Sequence, residues 1–526
     1  MSSVINVPEE ALRNYTSLSV KSQFNFTLST LQLNALWGFA VASFSAGGII
    51  GALSPTWLLS ICGLKHLLFF HCNILAIVGY GLHVLGYTVN MFELFIVGRV
   101  IVGVSHGIAT TLLGVWLAEC SPLAHRGTIC SMLNMANVIG AILGVVCGIP
   151  DLLGQPKYFW LLFSWPAVLS VIQMMTMPLF PENPKQLMMR FSKAVSGDSH
   201  RCWEKCNLEN KNYNSIKETE ALDLELIDML EHFDEDFEQM KETKQRYLRI
   251  IWNAIKASVI CYYGTDEAAV IAKEYAMERN HHSHKENKLG DLIFDPLFRR
   301  IVLLSCLVSI ATWSTGALSV VSYSTSILTN NNENHKDIAG YCSIVIMLVA
   351  LPSSCLSLFL AGSVRRRMQF LVGLIICAAM DFSVVIFSTP FIQETMPTIS
   401  FICKFVSLVV AAFAFTVGPG TISWFLAAEL SPTCFRSLVC SITLTVNWIT
   451  GLATIQLYPL LQGNPWTKPY TFLFYGIPTS ILGIVLFKIL PETRNNSYGK
   501  LVGSLQGNST PSSHLPDEDL KKQRNK

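Results

Sequence analysis

The length of its charge-free stretches constrains this chain more than any other feature. No Asp, Glu, Lys or Arg occurs from Ser22 to Leu64, nor from Leu67 to Phe92. About 20 apolar residues suffice for a helix to cross the hydrocarbon core of a bilayer. Backbone groups in that core find no water, so they must be satisfied internally, and a helix does this within one segment. Charged residues are only 14% of the chain, against about 25% in soluble proteins, and the deficit lets the pattern recur. Spans are expected near 36–59, 67–90, 94–118, 127–150, 158–180, 301–328, 338–361, 368–390, 401–427, 437–461 and 470–490. The fold class is therefore all-α and polytopic, with eleven spans embedded in a lipid bilayer.

The remaining composition excludes several functions. A net charge of +2 offers no attraction for nucleic acid or an acidic partner. The 15 cysteines are scattered, many inside apolar runs (Cys72, Cys130, Cys377), and none stands in CxxC spacing. They read as small apolar residues, so no metal is expected, and no nucleotide or other cofactor motif is present. Residues 1–34 hold no basic segment leading into an apolar one, so insertion is expected to rely on the first span.

Lys and Arg concentrate in short cytoplasmic loops. An N-terminus outside puts Lys65, Arg126, Arg365–Arg367, Arg436 and Arg494 in the cytoplasm. The expected organisation is an extracellular segment (1–35), an N-terminal transmembrane bundle (36–180), a cytoplasmic linker with surface helices (181–297), a C-terminal bundle (298–494) and a cytoplasmic tail (495–526). Within the linker, apolar residues at Leu222, Ile227, Leu230, Phe233 and Phe237 recur at roughly helical spacing, and 266–279 reads as a second short helix.

An internal repeat adds the strongest positional signal. Glu119-Cys-Ser-Pro-Leu-Ala-His-Arg126 returns as Glu429-Leu-Ser-Pro-Thr-Cys-Phe-Arg436, an offset of 310 residues, and Pro181-Glu182 returns as Pro491-Glu492 at the same offset. Two motifs sharing one offset indicate a duplicated bundle, an arrangement that places a substrate site where the halves meet. Proline ends each span, and the flanking Glu and Arg can pair directionally at the rim.

With these residues in view, the chain resembles the facilitative glucose transporter family, sugar porters of the major facilitator superfamily. The motifs are Gly98-Arg99, Glu119…Arg126-Gly127, Pro181-Glu182-Asn183-Pro184-Lys185, Tyr323-Ser-Thr-Ser-Ile327, Gly418-Pro419-Gly420…Trp424-Phe425…Glu429…Arg436, Asn447-Trp448 and Pro491-Glu492-Thr493. The resemblance implies the superfamily fold of two pseudo-repeated helical bundles. It also implies facilitative transport of a hexose, D-glucose foremost, by alternating access at the plasma membrane, and no enzymatic chemistry. The family fold has twelve spans, and Val4-Ile-Asn-Val-Pro-Glu-Glu resembles the stretch after the family's first helix, so that helix is expected to be lacking here.

In the family, amides and aromatics recognise the sugar. Carried over, the binding residues are Asn134, Thr312, Trp313, Trp424, Asn447 and Trp448; Asn134 replaces a glutamine, and Thr312 and Trp313 stand where paired glutamines are expected. Leu318, Ala350 and Thr416 replace further polar residues. The implied gating and latch residues are Arg99, Glu119, Arg126, Glu182, Arg366, Arg367, Gly418, Pro419, Gly420, Glu429, Arg436 and Glu492. The eroded amide set keeps a rival reading open, a transport-inactive relative acting as a sugar sensor or membrane scaffold. Asp381 lies within a span, but the resemblance puts it on a supporting helix.

Two Asn-x-Thr sequons, Asn14 and Asn25, fall on the expected extracellular side and are candidate glycosylation sites. Expression in mammalian cells should give a band that N-glycosidase shortens, with Asn14→Gln and Asn25→Gln each removing part of the shift.

Overall fold

The computed structural model describes residues 9–121, 125–149, 152–188, 253–262, 296–329, 336–431, 435–464 and 466–494. The helices expected over 218–237 and 266–279, and the tail from 495, lie outside the described residues. Among the described residues, eleven helices are long and apolar enough to cross a membrane, and they coincide with the eleven expected spans.

The N-terminal bundle comprises α2 (Thr30–Leu53), α3 (Cys72–Val89, entered through a π-helical turn at Leu67–His71), α4 (Phe92–Cys120), α5 (Arg126–Cys147) and α6 (Phe159–Thr176). Before them, α1 (Glu9–Phe24) is amphipathic and was not expected as a helix. It is tied to the α3–α4 turn: Tyr15 Oη donates to the Gly86 carbonyl at 2.7 Å, and Ser19 Oγ donates to the Asn90 carbonyl at 2.6 Å. Asn14 and Asn25 are exposed on this segment. Ser29 and Gln32 form a capping box that starts α2, satisfying donors a first turn leaves orphaned.

The C-terminal bundle comprises α7 (Pro296–Ser314), α8 (Ala317–Thr329), α9 (Lys336–Ser363), α10 (Arg366–Ser388), α11 (Pro397–Val417), α12 (Pro419–Leu430), α13 (Arg436–Gln462) and α14 (Leu473–Ile489). Two spans are broken in mid-course, α7 from α8 and α11 from α12. Gly316 makes the first break at φ +66, with the Tyr475 ring where its Cβ would be.

The bundles meet along α2 against α13 and along α5 against α9. Apolar burial is unequal along the axis. At the basic end, which carries Arg126, Arg366 and Arg436, one cluster runs through both bundles and joins Leu112, Val115 and Trp116 of α4 to Ile422, Phe425 and Leu426 of α12. Toward the opposite end the described residues form separate clusters. One is built from Trp37, Phe95 and Phe163 of the N-terminal bundle, the other from Leu408, Tyr458 and Tyr475 of the C-terminal bundle. The apolar cores are thus separate there, bridged by the Gln456 Nε2 bond to the Gly38 carbonyl at 3.1 Å, while at the basic end one core is shared.

Within the N-terminal bundle α2 and α4 pack most closely. A Cβ on Gly47 or Gly51 of α2, or on Gly103 or Gly107 of α4, would collide with the facing backbone. Small residues permit such approach where no hydrophobic drive separates helix from lipid. Gly103→Val should therefore lower the melting temperature in detergent, at a cost of about 1–3 kcal/mol for overpacking. Gly81→Ala, at a position with open space around it, should leave it unchanged.

Candidate functional site

Buried ion pairs hold the basic end, two of them among the described residues with known geometry. Arg436 Nη1 lies 3.3 Å from Glu119 Oε1, and their side chains are each 3% exposed. Because Glu119 ends α4 and Arg436 begins α13, this pair joins the two bundles. A buried ion pair recovers its desolvation cost only when further hydrogen bonds satisfy the remaining atoms. Here Asn183 Nδ2 donates to Glu119 Oε2 at 2.7 Å, and Arg436 Nε donates to the Ala428 carbonyl at 2.8 Å. The second pair, Arg366 with Glu429, stays inside the C-terminal bundle. Thr493 Oγ1 donates to Glu429 Oε2 at 3.1 Å, occupying in the second repeat the place of Asn183 in the first.

Glu492 caps α10: its Oε1 accepts from the Arg366 backbone N–H at 3.1 Å and its Oε2 from that of Arg367 at 3.3 Å. A carboxylate at a helix N-terminus is favoured by the orphan donors and the dipole. The Arg367 side chain donates to the Phe487 carbonyl. Arg126 begins α5 with its Nε buried and unpartnered; the arginine that engages Glu119 comes from the other repeat. Arg99 lies away from this rim. Its Nε donates to the Ala40 carbonyl at 2.8 Å, clamping α4 to α2 inside one bundle.

A helix at 253–262 docks beneath the same end. Ser258 Oγ donates to the Glu182 carbonyl at 2.6 Å and Tyr262 Oη to the Pro181 carbonyl at 3.0 Å. The Tyr262 ring stands edge-on to Trp116, 6.2 Å between centroids, and burial pushes its phenol up from the ordinary tyrosine value.

The Gly418-Pro419-Gly420 break is real: Gly418 has φ −105 and ψ −95, and proline removes the next donor. The freed carbonyls are satisfied by side chains. Gln369 Nε2 donates to the Val417 carbonyl at 2.7 Å, and Thr421 Oγ1 donates to that of Thr416 at 2.6 Å. Asn134, from the other bundle, donates to Thr421 Oγ1 at 2.9 Å.

Beside this break lies a cavity of about 130 Å³ lined from both bundles. Asn134 lines it, as do Ala350 and Thr416, together with Val138, Ile346 and Phe415, which no motif had marked. Trp313 adjoins it, 5.9 Å from the Phe415 ring, and its Nε1 donates to Asn447 Oδ1 at 2.6 Å. Asn134 therefore lines the cavity, while Trp313, against Phe415, and its partner Asn447 are not part of the lining.

The other three expected binding residues are placed differently. Thr312 is buried and its hydroxyl donates to the Val308 carbonyl of its own helix. Trp424 is half-buried on α12 and is not part of the cavity lining. Trp448 turns toward the N-terminal bundle and packs 5.8 Å from Phe44 and 5.6 Å from His106. Asp381 packs against Gly476 of α14 and does not line the cavity.

Comparison with known proteins follows the same lines. A family model described as "Sugar (and other) transporter" matches residues 1–255 and 242–501. The facilitated glucose transporter member 3 of solute carrier family 2 from Ovis aries is 24% identical over 506 residues, covering 96% of this chain and 89% of that protein. Its Homo sapiens counterpart is likewise 24% identical, covering 96% and 88%. The proton:xylose symporter XylE, solved with bound 6-bromo-6-deoxy-D-glucose, superposes with a TM-score of 0.68 at 18% identity, over 96% of this chain and 97% of that one. That structural likeness establishes the fold.

Removing one member of a buried pair costs about 3–5 kcal/mol because the other charge is stranded. Arg436→Ala should therefore loosen the basic end and raise the labelling rate of buried Cys440 and Cys130 by a maleimide added on that side. The exchange Glu119→Arg with Arg436→Glu should restore part of the protection, and unchanged labelling in Arg436→Ala would rule out a latch.

Proposed function

The chain belongs to the sugar (and other) transporter family and is a sugar porter of the major facilitator superfamily, and from that premise we propose that it carries a hexose, D-glucose the first to be tested, down its gradient by alternating access. The observation that carries this reading is the Glu119–Arg436 pair, which spans the two bundles at the basic end. A static assembly has no use for a buried charge pair between halves whose apolar cores are otherwise separate toward the far end. In a rocking pair of bundles it is a latch, holding one end shut while the other admits substrate, then yielding as the shared core parts.

On this reading the basic end faces the cytoplasm of the plasma membrane. The Gly418-Pro419-Gly420 break is the joint by which α12 moves with the rim while α11 stays with the cavity. Side chains rather than helix bonds satisfy the carbonyls there, so the joint can bend without stranding its backbone. Among the described residues the cavity lining contains no carboxylate, which suits passive flux over ion coupling. A sensor or scaffold role is not favoured, since neither needs a latch or a joint.

The test is uptake of labelled hexoses into proteoliposomes containing the full chain. Saturable uptake of at least one hexose is expected, with Arg436→Ala slower by at least about ten-fold, the factor that each 1.4 kcal/mol supplies. No saturable flux of any hexose from verified, correctly folded protein would sink the proposal.

A further inference from the structure

At the basic end, away from the ion pairs and the cavity, a cysteine and a histidine stand together. The chain leaves α2 through a short helix, Pro55–Ile61, and Cys62 closes it, its N–H donating to the Leu58 carbonyl at 2.8 Å. The π-helical turn Leu67–His71 then brings His71 back beside the thiol, with Nε2 3.9 Å from Cys62 Sγ. Turns of this kind often mark functional sites.

The imidazole is held in one orientation. Its Nδ1 lies 3.0 Å from the His66 carbonyl oxygen. A carbonyl can only accept, so Nδ1 carries the proton of the neutral ring and Nε2 turns its lone pair to the thiol. A base so placed can take the thiol proton and leave the thiolate, the nucleophilic form of cysteine. Cys62 is partly exposed and His71 is exposed, whereas Cys72, Cys130 and Cys440 are sealed in the cores.

The surroundings select the reagent. Leu53, Trp57 and Ile61 recur at every fourth position and are 54%, 66% and 63% exposed, so they form one outward ridge. Ser54, at φ −74 and ψ −25, keeps the helical course between them. Phe70 and Ile74 are exposed on the α3 side as well. The thiol thus ends an apolar ridge that faces lipid, with Lys65 and His66 next along the chain. A long acyl chain is the complement of such a ridge, and cysteines at the membrane edge are the usual setting for reversible S-palmitoylation.

We propose that Cys62 is an S-acylation site whose acyl donor is the coenzyme A thioester of a long-chain fatty acid. His71 Nε2 takes the thiol proton, and the Cys62 sulfur attacks the acyl carbonyl carbon. The bond from that carbon to the coenzyme A sulfur breaks, and the departing thiolate recovers the proton from the imidazolium. One thioester replaces another, so no oxidant or reductant takes part. The attached chain lies along the Leu53–Trp57–Ile61 ridge and fastens Pro55–Ile61 to the lipid. That short helix packs against α13 of the opposite bundle, which puts the anchor at the seam between the halves.

The test incubates the full chain, in nanodiscs that leave both faces open, with palmitoyl-CoA. Palmitate that hydroxylamine releases is expected, and peptide mass spectrometry of the wild-type chain should place it on Cys62. His71→Ala should slow its incorporation at least about ten-fold, a conservative figure for a positioned base, at unchanged melting temperature. Cys261→Ser, which removes another exposed thiol, should leave the rate at Cys62 as it is. Palmitate on other cysteines but not on Cys62 would overturn the proposal, as would no incorporation at all or a rate indifferent to His71→Ala.

Discussion

The Glu119–Arg436 charge pair is buried between the two bundles and ties them together at the basic end. Taking Glu119 and Arg436 out of water costs several kcal/mol per ion, and attraction alone does not recover it. The surrounding atoms do: Asn183 serves the carboxylate, while Arg436 also binds the carbonyls of Ala428 and Ser431, tying the end of α12 to the start of α13. The pair therefore fixes local chain turns and the relation of the halves at once, and the continuous apolar cluster beneath it depends on both.

The repeat is used asymmetrically. Both glutamates receive a hydrogen bond from the residue after the Pro-Glu motif, Asn183 in one half and Thr493 in the other. Their arginines differ in origin. Glu119 is met by Arg436 of the opposite bundle, whereas Glu429 is met by Arg366 of its own. Parting the halves thus breaks one buried pair and leaves the other to keep α10 and α12 together. Glu492 strengthens that second assembly by capping α10.

The centre obeys a different constraint. A helix broken inside a membrane must find partners for its freed carbonyls, and Gln369, Thr421 and Asn134 meet that need around Thr416 and Val417. Groups committed to holding the break open are no longer available to a ligand. Asn447 Nδ2 and Trp448 Nε1 are buried without a hydrogen-bond partner, and the cavity wall that contains Ala350 is largely apolar.

What the sequence determined by itself was whatever depends on local composition or on position along the chain. Charge-free length set the spans, prolines and glycines set the break at Gly418-Pro419-Gly420, and the shared offset of 310 residues set the duplicated bundle. Only the tertiary structure decided which partners those residues meet. Arg126 and Arg436 look equivalent in the repeat, yet only Arg436 engages Glu119. Thr312 and Trp313 are neighbours, yet one hydroxyl bonds its own helix and the other side chain reaches Asn447. Asn447 and Trp448 are also neighbours, yet helical rotation turns one toward the centre and the other toward Phe44. A donor or charge has several possible partners in sequence, and the distances and burial that choose among them arise only when distant segments are brought together.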